Sequence, residues 1–196
     1  RLTRDGADFL GWAQDGASIT WSVGSTFRAV AASATETGGT GAAEVAARNV
    51  SLAVEVPRDV PQGTLVLRGA TVLPMEGEAR IENADVVIQG DRIAAIGRTG
   101  TVSIPAGATI RDMRGRFIVP GFIDAHAHFF GIRRGVHERG YWEFAVNLAY
   151  GVTSALELQP FTTDIFAYED MIDAGMMPGP RVWSTGPGVF VDSEIH

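Results

Sequence analysis

The chain has 196 residues, of which 45% are apolar, and a formal net charge of −7 at pH 7. The acidic balance and the lack of any apolar run long enough to span a bilayer predict a soluble globular protein with neither nucleic acid nor membrane as a partner. With no cysteine, disulfides and thiolate ligands are excluded, so a metal would have to be held by histidines and carboxylates.

Residues 1–30 predict an antiparallel unit of about three strands. Its aromatic and β-branched runs are separated by hairpin turn signals at Gln14-Asp15-Gly16 and Gly24-Ser25. The runs are residues 9–12, 18–23 and 26–30. The unit resembles one blade of a Tol-type β-propeller, whose repeats carry a W-x-x-D-G turn, here the sequence WAQDG that ends at Gly16. No second copy follows, so the resemblance implies the remnant of a last blade. An ordinary hairpin appended to the next domain is the alternative.

Residues 31–50 have the composition of a linker. They are rich in Ala, Gly, Ser and Thr and show no apolar periodicity. The cluster Gly38-Gly39-Thr40-Gly41 lacks the Lys-Ser/Thr ending and the preceding strand of a phosphate-binding loop. We therefore expect an extended segment that joins two separate β units.

Residues 51–117 predict a compact β-sandwich element made of short strands. The expected strands are residues 52–56, 64–67, 71–73, 85–89, 92–96 and 109–113. Gln89-Gly90-Asp91-Arg92 indicates a tight turn between two of them. No residue in this segment has the character of a functional site.

The next strand carries the candidate metal ligands. An apolar lead and Pro120-Gly121 are followed by polar residues at every second position, namely Asp124, His126 and His128. A strand directs alternate side chains to one face, so we expect the carboxylate and both imidazoles to share a face and the imidazoles to lie close enough to share an ion. Neutral imidazole is a common ligand of zinc, and two imidazoles leave coordination positions open. The alternative is a set of unrelated polar residues near a strand end.

Residues 118–196 predict the start of a parallel β/α array. Helical spacing over residues 141–150 is followed by a strand at 152–156, a helix at 164–174 and a third strand from residue 181. A complete eight-unit barrel needs about 250 residues. The predicted fold is therefore α/β plus all-β: a truncated (β/α)8 TIM-type barrel of about three strands, preceded by the small β-sandwich domain and the β-propeller remnant.

The sequence FIVPGFIDAHAHF, which ends at Phe129, closely resembles the first barrel strand of the amidohydrolase superfamily of metal-dependent hydrolases, in particular the imidazolonepropionase-like and dihydroorotase-like branches. Residues 87–97 are similar to the family's I-x-x-G-x-I-x-x-I-G cadence in the domain before the barrel. GVTSALEL resembles its G-V-T-T second strand, with Ser154 in place of the second Thr.

This resemblance implies that His126 and His128 bind one or two divalent metal ions, most simply zinc. It implies that Asp124 contacts a ligand and not the metal itself. The family takes its other ligands and its general base from later strands: a lysine or glutamate on the fourth, histidines on the fifth and sixth, and an aspartate on the eighth. Those positions lie beyond this sequence, so the general base is unassigned.

Two further residues are candidates for substrate binding. Glu157 ends the second barrel strand, where it would line the active-site mouth or lie in a solvated turn. His137 follows the metal strand in a polar loop, where a surface position is the alternative. The chain end, His196, offers no basis for a role.

The resemblance implies a hydrolase that uses a metal-activated water on carbon–nitrogen bonds of amides, cyclic amides or small peptides. Deaminases and phosphotriester or lactone hydrolases share this first strand, so the bond type follows from the resemblance alone. The alternative is a propeller-based binding or scaffold protein with an inactive barrel. We expect an internal fragment, inactive alone, of a parent that is periplasmic or secreted if a signal peptide precedes it. Association of copies through the barrel is left open.

Overall fold

The computed structural model describes residues 3, 4, 6–35 and 46–188. It divides into two compact units, Arg1–Val56 and Pro57–His196, whereas the sequence placed boundaries near residues 30 and 50. Residues 36–45 of the expected linker, and His196, lie outside the described part. Within that part, no helix has both the length and the apolar character needed to cross a membrane.

The first unit is a four-stranded antiparallel sheet in the order β1-β2-β3-β4. Its strands are β1 (Asp8–Trp12), β2 (Ser18–Val23), β3 (Thr26–Ala31) and β4 (Arg48–Ser51). The first three confirm the predicted meander, and Asp15 stabilises the first turn by accepting N–H bonds from Ala17 and Ser18. Trp21 and Val30 form the buried centre. The relation of this sheet to a propeller stays a prediction.

The fourth strand corrects the sequence analysis. β4, of which residues 48–50 belong to the predicted linker, pairs with β3. The prediction of a strand at residues 52–56 is wrong because those residues have no regular structure. The sequence Arg-Asn-Val-Ser has no apolar alternation, so its periodicity did not reveal it. Main-chain hydrogen bonds to the edge of β3 hold it in place, and such bonds do not depend on side-chain type.

The second unit begins with a mixed five-stranded sheet. Its strands are β5 (Thr64–Val72), β6 (Ile81–Gln89), β7 (Arg92–Arg98), β8 (Thr109–Asp112) and β9 (Phe117–Ile118). The order is β7-β6-β5-β8, with β9 also beside β5. The described residues form this one sheet, so the expected sandwich is reduced to a single layer. Two apolar side chains, Ile93 and Ile110, accordingly remain exposed.

One buried carboxylate explains why two predicted strands merge into β5. The pairing of β5 with β6 shifts register around Gly69, which has a φ of +79°. Asp85 is fully buried and accepts hydrogen bonds from the Gly69 N–H at 3.2 Å and from the Thr99 hydroxyl at 2.7 Å, with Arg68 Nε at 3.4 Å. These bonds fix the irregular residue within one continuous strand, and Asp85 has a structural role.

Three parallel strands and two helices complete the second unit. They are β10 (Phe122–Ala127), α1 (Trp142–Ala149), β11 (Val152–Glu157), α2 (Asp164–Asp173) and β12 (Arg181–Ser184). The strands lie in the order β10-β11-β12, which confirms the predicted parallel β/α array. The main core contains Phe144 and Tyr168 from the helices and Ala155 and Val182 from the strands.

Helix α2 carries an acidic residue, Glu169, whose ionised form is disfavoured in the folded protein. Burial, followed by the charges of Asp173 and Asp170, raises the pKa of Glu169 above its usual value of 4.5. Because the folded pKa exceeds the unfolded one, the contribution of Glu169 to stability is fully present below about pH 4.5 and is lost as the pH rises through the folded pKa.

We therefore expect Glu169→Gln to raise the free energy of unfolding at pH 7 by a few tenths of a kcal/mol, the size of one like-charge helical pair. Urea unfolding at pH 7 and pH 4 measures the effect. The gain should shrink at pH 4, and an equal or larger gain there would contradict the interpretation.

Candidate metal centre

The strand that carries the candidate ligands pairs irregularly with its neighbour. Asp124 lies opposite Ala155 and Ala127 lies opposite Glu157, so three steps along β10 match two along β11. Such a bulge interrupts strict alternation and redirects side chains. The pairing therefore departs from a regular ladder between Asp124 and Ala127, and the shared face expected for Asp124, His126 and His128 stays a prediction.

The two imidazoles nevertheless lie together. The ring centres of His126 and His128 are 5.1 Å apart, and the ring planes are inclined at 82°, which confirms the predicted proximity. Two imidazoles on one tetrahedral zinc ion, each bound at about 2.0–2.1 Å, have ring centres roughly 5 Å apart. The spacing thus fits two ligands of a shared ion, while metal binding itself stays a prediction.

Asp124 forms a hydrogen bond with the backbone beside the first candidate ligand. Its Oδ1 accepts a hydrogen bond of 3.0 Å from the backbone N–H of His126. Among the residues that the structure describes, no group of three or more His, Cys, Asp or Glu side chains is placed to hold a metal ion. The histidine pair therefore supplies two nitrogen donors, and Asp124 stabilises the backbone that presents one of them.

Glu157 does not lie in the solvated turn that was the alternative, and its role in lining the active-site mouth stays a prediction. It is fully buried, so it is in no solvated turn, and its carboxylate is bonded within the fold. Oε1 lies 3.3 Å from His128 Nδ1 and accepts the Gln159 N–H at 2.8 Å, while Oε2 accepts the Phe129 N–H. The end of β11 thereby places a carboxylate directly behind one candidate ligand.

Two aromatic side chains were missed by the sequence reasoning. The Phe130 ring stacks on His128 with centres 4.7 Å apart and planes at 12°, and Phe161 lies 5.3 Å from Phe130. The available signal was the aromatic pair directly after the second histidine. Because Glu157 contacts one ring nitrogen and Phe130 covers a ring face, the orientation of His128 is restrained.

His137 lies in a different environment. Its Nε2 is 3.5 Å from Asp164 Oδ1 at the start of α2, and its ring makes an edge contact with Tyr168. Asp164 also accepts the Gly135 N–H at 2.5 Å. These contacts attach the loop after β10 to helix α2, and substrate binding by the half-exposed His137 stays a prediction.

Comparison with known proteins identifies relatives of much of the chain, although no protein-family model matches it. It is 35% identical over 142 residues to an adenine deaminase of Deinococcus deserti, which covers 68% of this chain and 23% of that protein. It is 36% identical over 98 residues to an imidazolonepropionase of Anaeromyxobacter dehalogenans, covering 45% of this chain and 22% of that protein.

The fold also has solved counterparts. A protein assigned as a prolidase from Bifidobacterium longum superposes with a TM-score of 0.59 at 25% identity, over 70% of this chain and 33% of that one. The chain therefore spans about a quarter to a third of the length of these relatives.

Proposed function

Since the relatives of this chain in sequence and in fold are enzymes of the amidohydrolase superfamily, we propose that it carries the first metal-binding strand of a metal-dependent hydrolase of carbon–nitrogen bonds. The observation that carries the proposal is the pair of imidazoles, 5.1 Å apart, at the carboxyl end of the first strand in a parallel array. That end of the strands is where barrel enzymes place their chemistry.

The residues of this chain have distinct tasks in the proposed site. His126 and His128 hold the ion through ring nitrogens, and Asp124 holds the backbone N–H of His126. When bound, a divalent ion, most simply zinc, supplies Lewis acidity and a water acidic enough to act as a nucleophile near neutral pH. Phe130 restrains His128 by stacking and gives the site one apolar wall.

The names of the relatives support the proposed substrate class. Adenine deaminase, imidazolonepropionase and prolidase are names of enzymes that act on carbon–nitrogen bonds, whether of an amino group on a ring, within a ring or in a peptide. A small-molecule or peptide-like substrate is accordingly proposed. We also propose that the remaining ligands and the general base belong to a longer protein that contains this chain, because the matched regions cover only 22% to 33% of these relatives.

The test compares the 196-residue chain with that longer protein. Both are stripped with a chelator, resupplied with zinc or manganese, and assayed on adenine, cyclic imides, N-acyl amino acids and dipeptides. Only the longer protein should regain turnover, because two imidazoles are half of a usual four-ligand zinc shell and a general base alone contributes roughly 10²–10⁴-fold in rate. Turnover by the longer protein that survives chelation would overturn the metal dependence. No turnover of any substrate after metal is restored would favour the binding or scaffold alternative.

A further inference from the structure

Glu157 is a buried acid that the proposed chemistry does not yet use. It is the last residue of β11 and has no exposed surface. A carboxylate in such a position is costly unless hydrogen bonds replace its water. Its partners therefore indicate why the fold tolerates it.

Those partners come from the two strand ends at the candidate metal centre. The backbone N–H of Phe129, which follows β10, donates to Oε2, and the N–H of Gln159, which follows β11, donates to Oε1 at 2.8 Å. One side chain thus connects the segments that leave both strands. The same carboxylate also contacts His128, whose Nδ1 is 3.3 Å from Oε1.

The hydrogen-bond roles determine the tautomer of His128. Both carboxylate oxygens act as acceptors toward backbone N–H groups. The same acceptor role toward the imidazole favours a proton on Nδ1 of His128. The lone pair of a neutral ring then lies on Nε2. Stacking on Phe130 opposes rotation of the ring, which would exchange the two nitrogens.

We propose that Glu157 is a positioning residue that holds His128 as the Nδ1-protonated tautomer and leaves Nε2 for a divalent metal ion. This role differs from the expected substrate binding by Glu157, which stays a prediction. The inference rests on the proposed function in that His128 is a metal ligand. A carboxylate behind a ligating histidine fixes ring orientation and raises ligand basicity, and its loss lowers metal affinity by about 10–100-fold.

The first measurement uses the metal-free wild-type chain. Two-bond ¹H–¹⁵N correlation spectra report which ring nitrogen of His128 carries the proton, with His128→Gln identifying its signals. The proposal requires the Nδ1–H form. A ring that is predominantly Nε2–H would overturn the proposal. This result needs no Glu157 variant, so the test stands even if such a variant fails to fold.

The second measurement compares Glu157→Gln with Asp85→Asn, a matched control at another fully buried carboxylate that accepts a backbone N–H. Both variants should lower the melting temperature. Only Glu157→Gln should mix the His128 tautomers and weaken zinc binding, measured by competition with a chromophoric chelator, by about 10–100-fold. Equal losses of zinc affinity in both variants, or an unchanged tautomer and affinity in Glu157→Gln, would overturn the positioning role.

The two proposals fail in different ways. A wild-type chain that binds no zinc, together with a longer protein that does not depend on metal, would remove the proposed function. The tautomer measurement needs no metal and would still decide whether Glu157 controls the protonation of His128.

Discussion

In the longer protein proposed to contain this chain, His126→Ala and His128→Ala should each abolish metal-restored turnover. Removing a ligand forfeits the Lewis acidity and nucleophile that the ion supplies, and a loss of only about 4 kcal/mol of transition-state stabilisation already lowers the rate roughly 10³-fold. The fold should survive, because His126 is exposed and His128 is partly exposed. Turnover on the substrate panel, metal content and melting temperature measure the three effects.

Ile123→Ala is the matched control for these two variants. Ile123 is an exposed residue of the same strand, and an aliphatic side chain cannot ligate a metal. It should leave the metal content unchanged. Turnover that persists in both histidine variants would contradict the assignment of β10 as a metal-binding strand, whatever their stability.

The second large effect concerns the glycine that precedes β10. A Cβ added at Gly121 would overlap the side chain of Thr153 on β11, including its Cβ at 2.7 Å. A β-carbon cannot rotate away as the end of a long side chain can. We therefore expect Gly121→Ala to lower the free energy of unfolding by about 3 kcal/mol, at the upper end of overpacking costs.

A double variant isolates this contact. Adding Thr153→Gly to Gly121→Ala removes the overlapping atoms and should restore most of the lost stability, as measured by urea unfolding of the chain. Gly140→Ala is the control, because a Cβ there meets open space and the backbone φ is not positive. A Gly121→Ala variant as stable as Gly140→Ala, or a double variant no better than Gly121→Ala, would contradict the explanation.

The regular parts of this fold could be predicted because local patterns determine them. Helical spacing located α1, and apolar runs between turn residues located β2 and β11. The proximity of the imidazoles also followed from their spacing of two residues. In each of these segments, side chains two to four positions apart carry the signal.

Other features depend on contacts between distant segments and could not be predicted from the sequence. β4 is stabilised by the backbone of β3 and not by an apolar pattern of its own. A glutamate at a strand end is usually solvated. The hydrogen bonds from the N–H groups of Phe129 and Gln159 offset the desolvation cost of burying Glu157. The bulge between Asp124 and Ala127 depends on register with β11, which the motif does not encode.

That bulge also bears on enzyme design. Transferring D-x-H-x-H to a regular strand of another scaffold would copy the residue types but not the extra backbone step between Asp124 and Ala127. On a regular strand the aspartate would share a face with both histidines, and nothing would place its carboxylate at the backbone N–H of the residue two positions ahead, as Asp124 does here. A transplant should therefore include the strand equivalent to β11, whose pairing with β10 contains the irregularity, so the unit to transfer is a pair of strands.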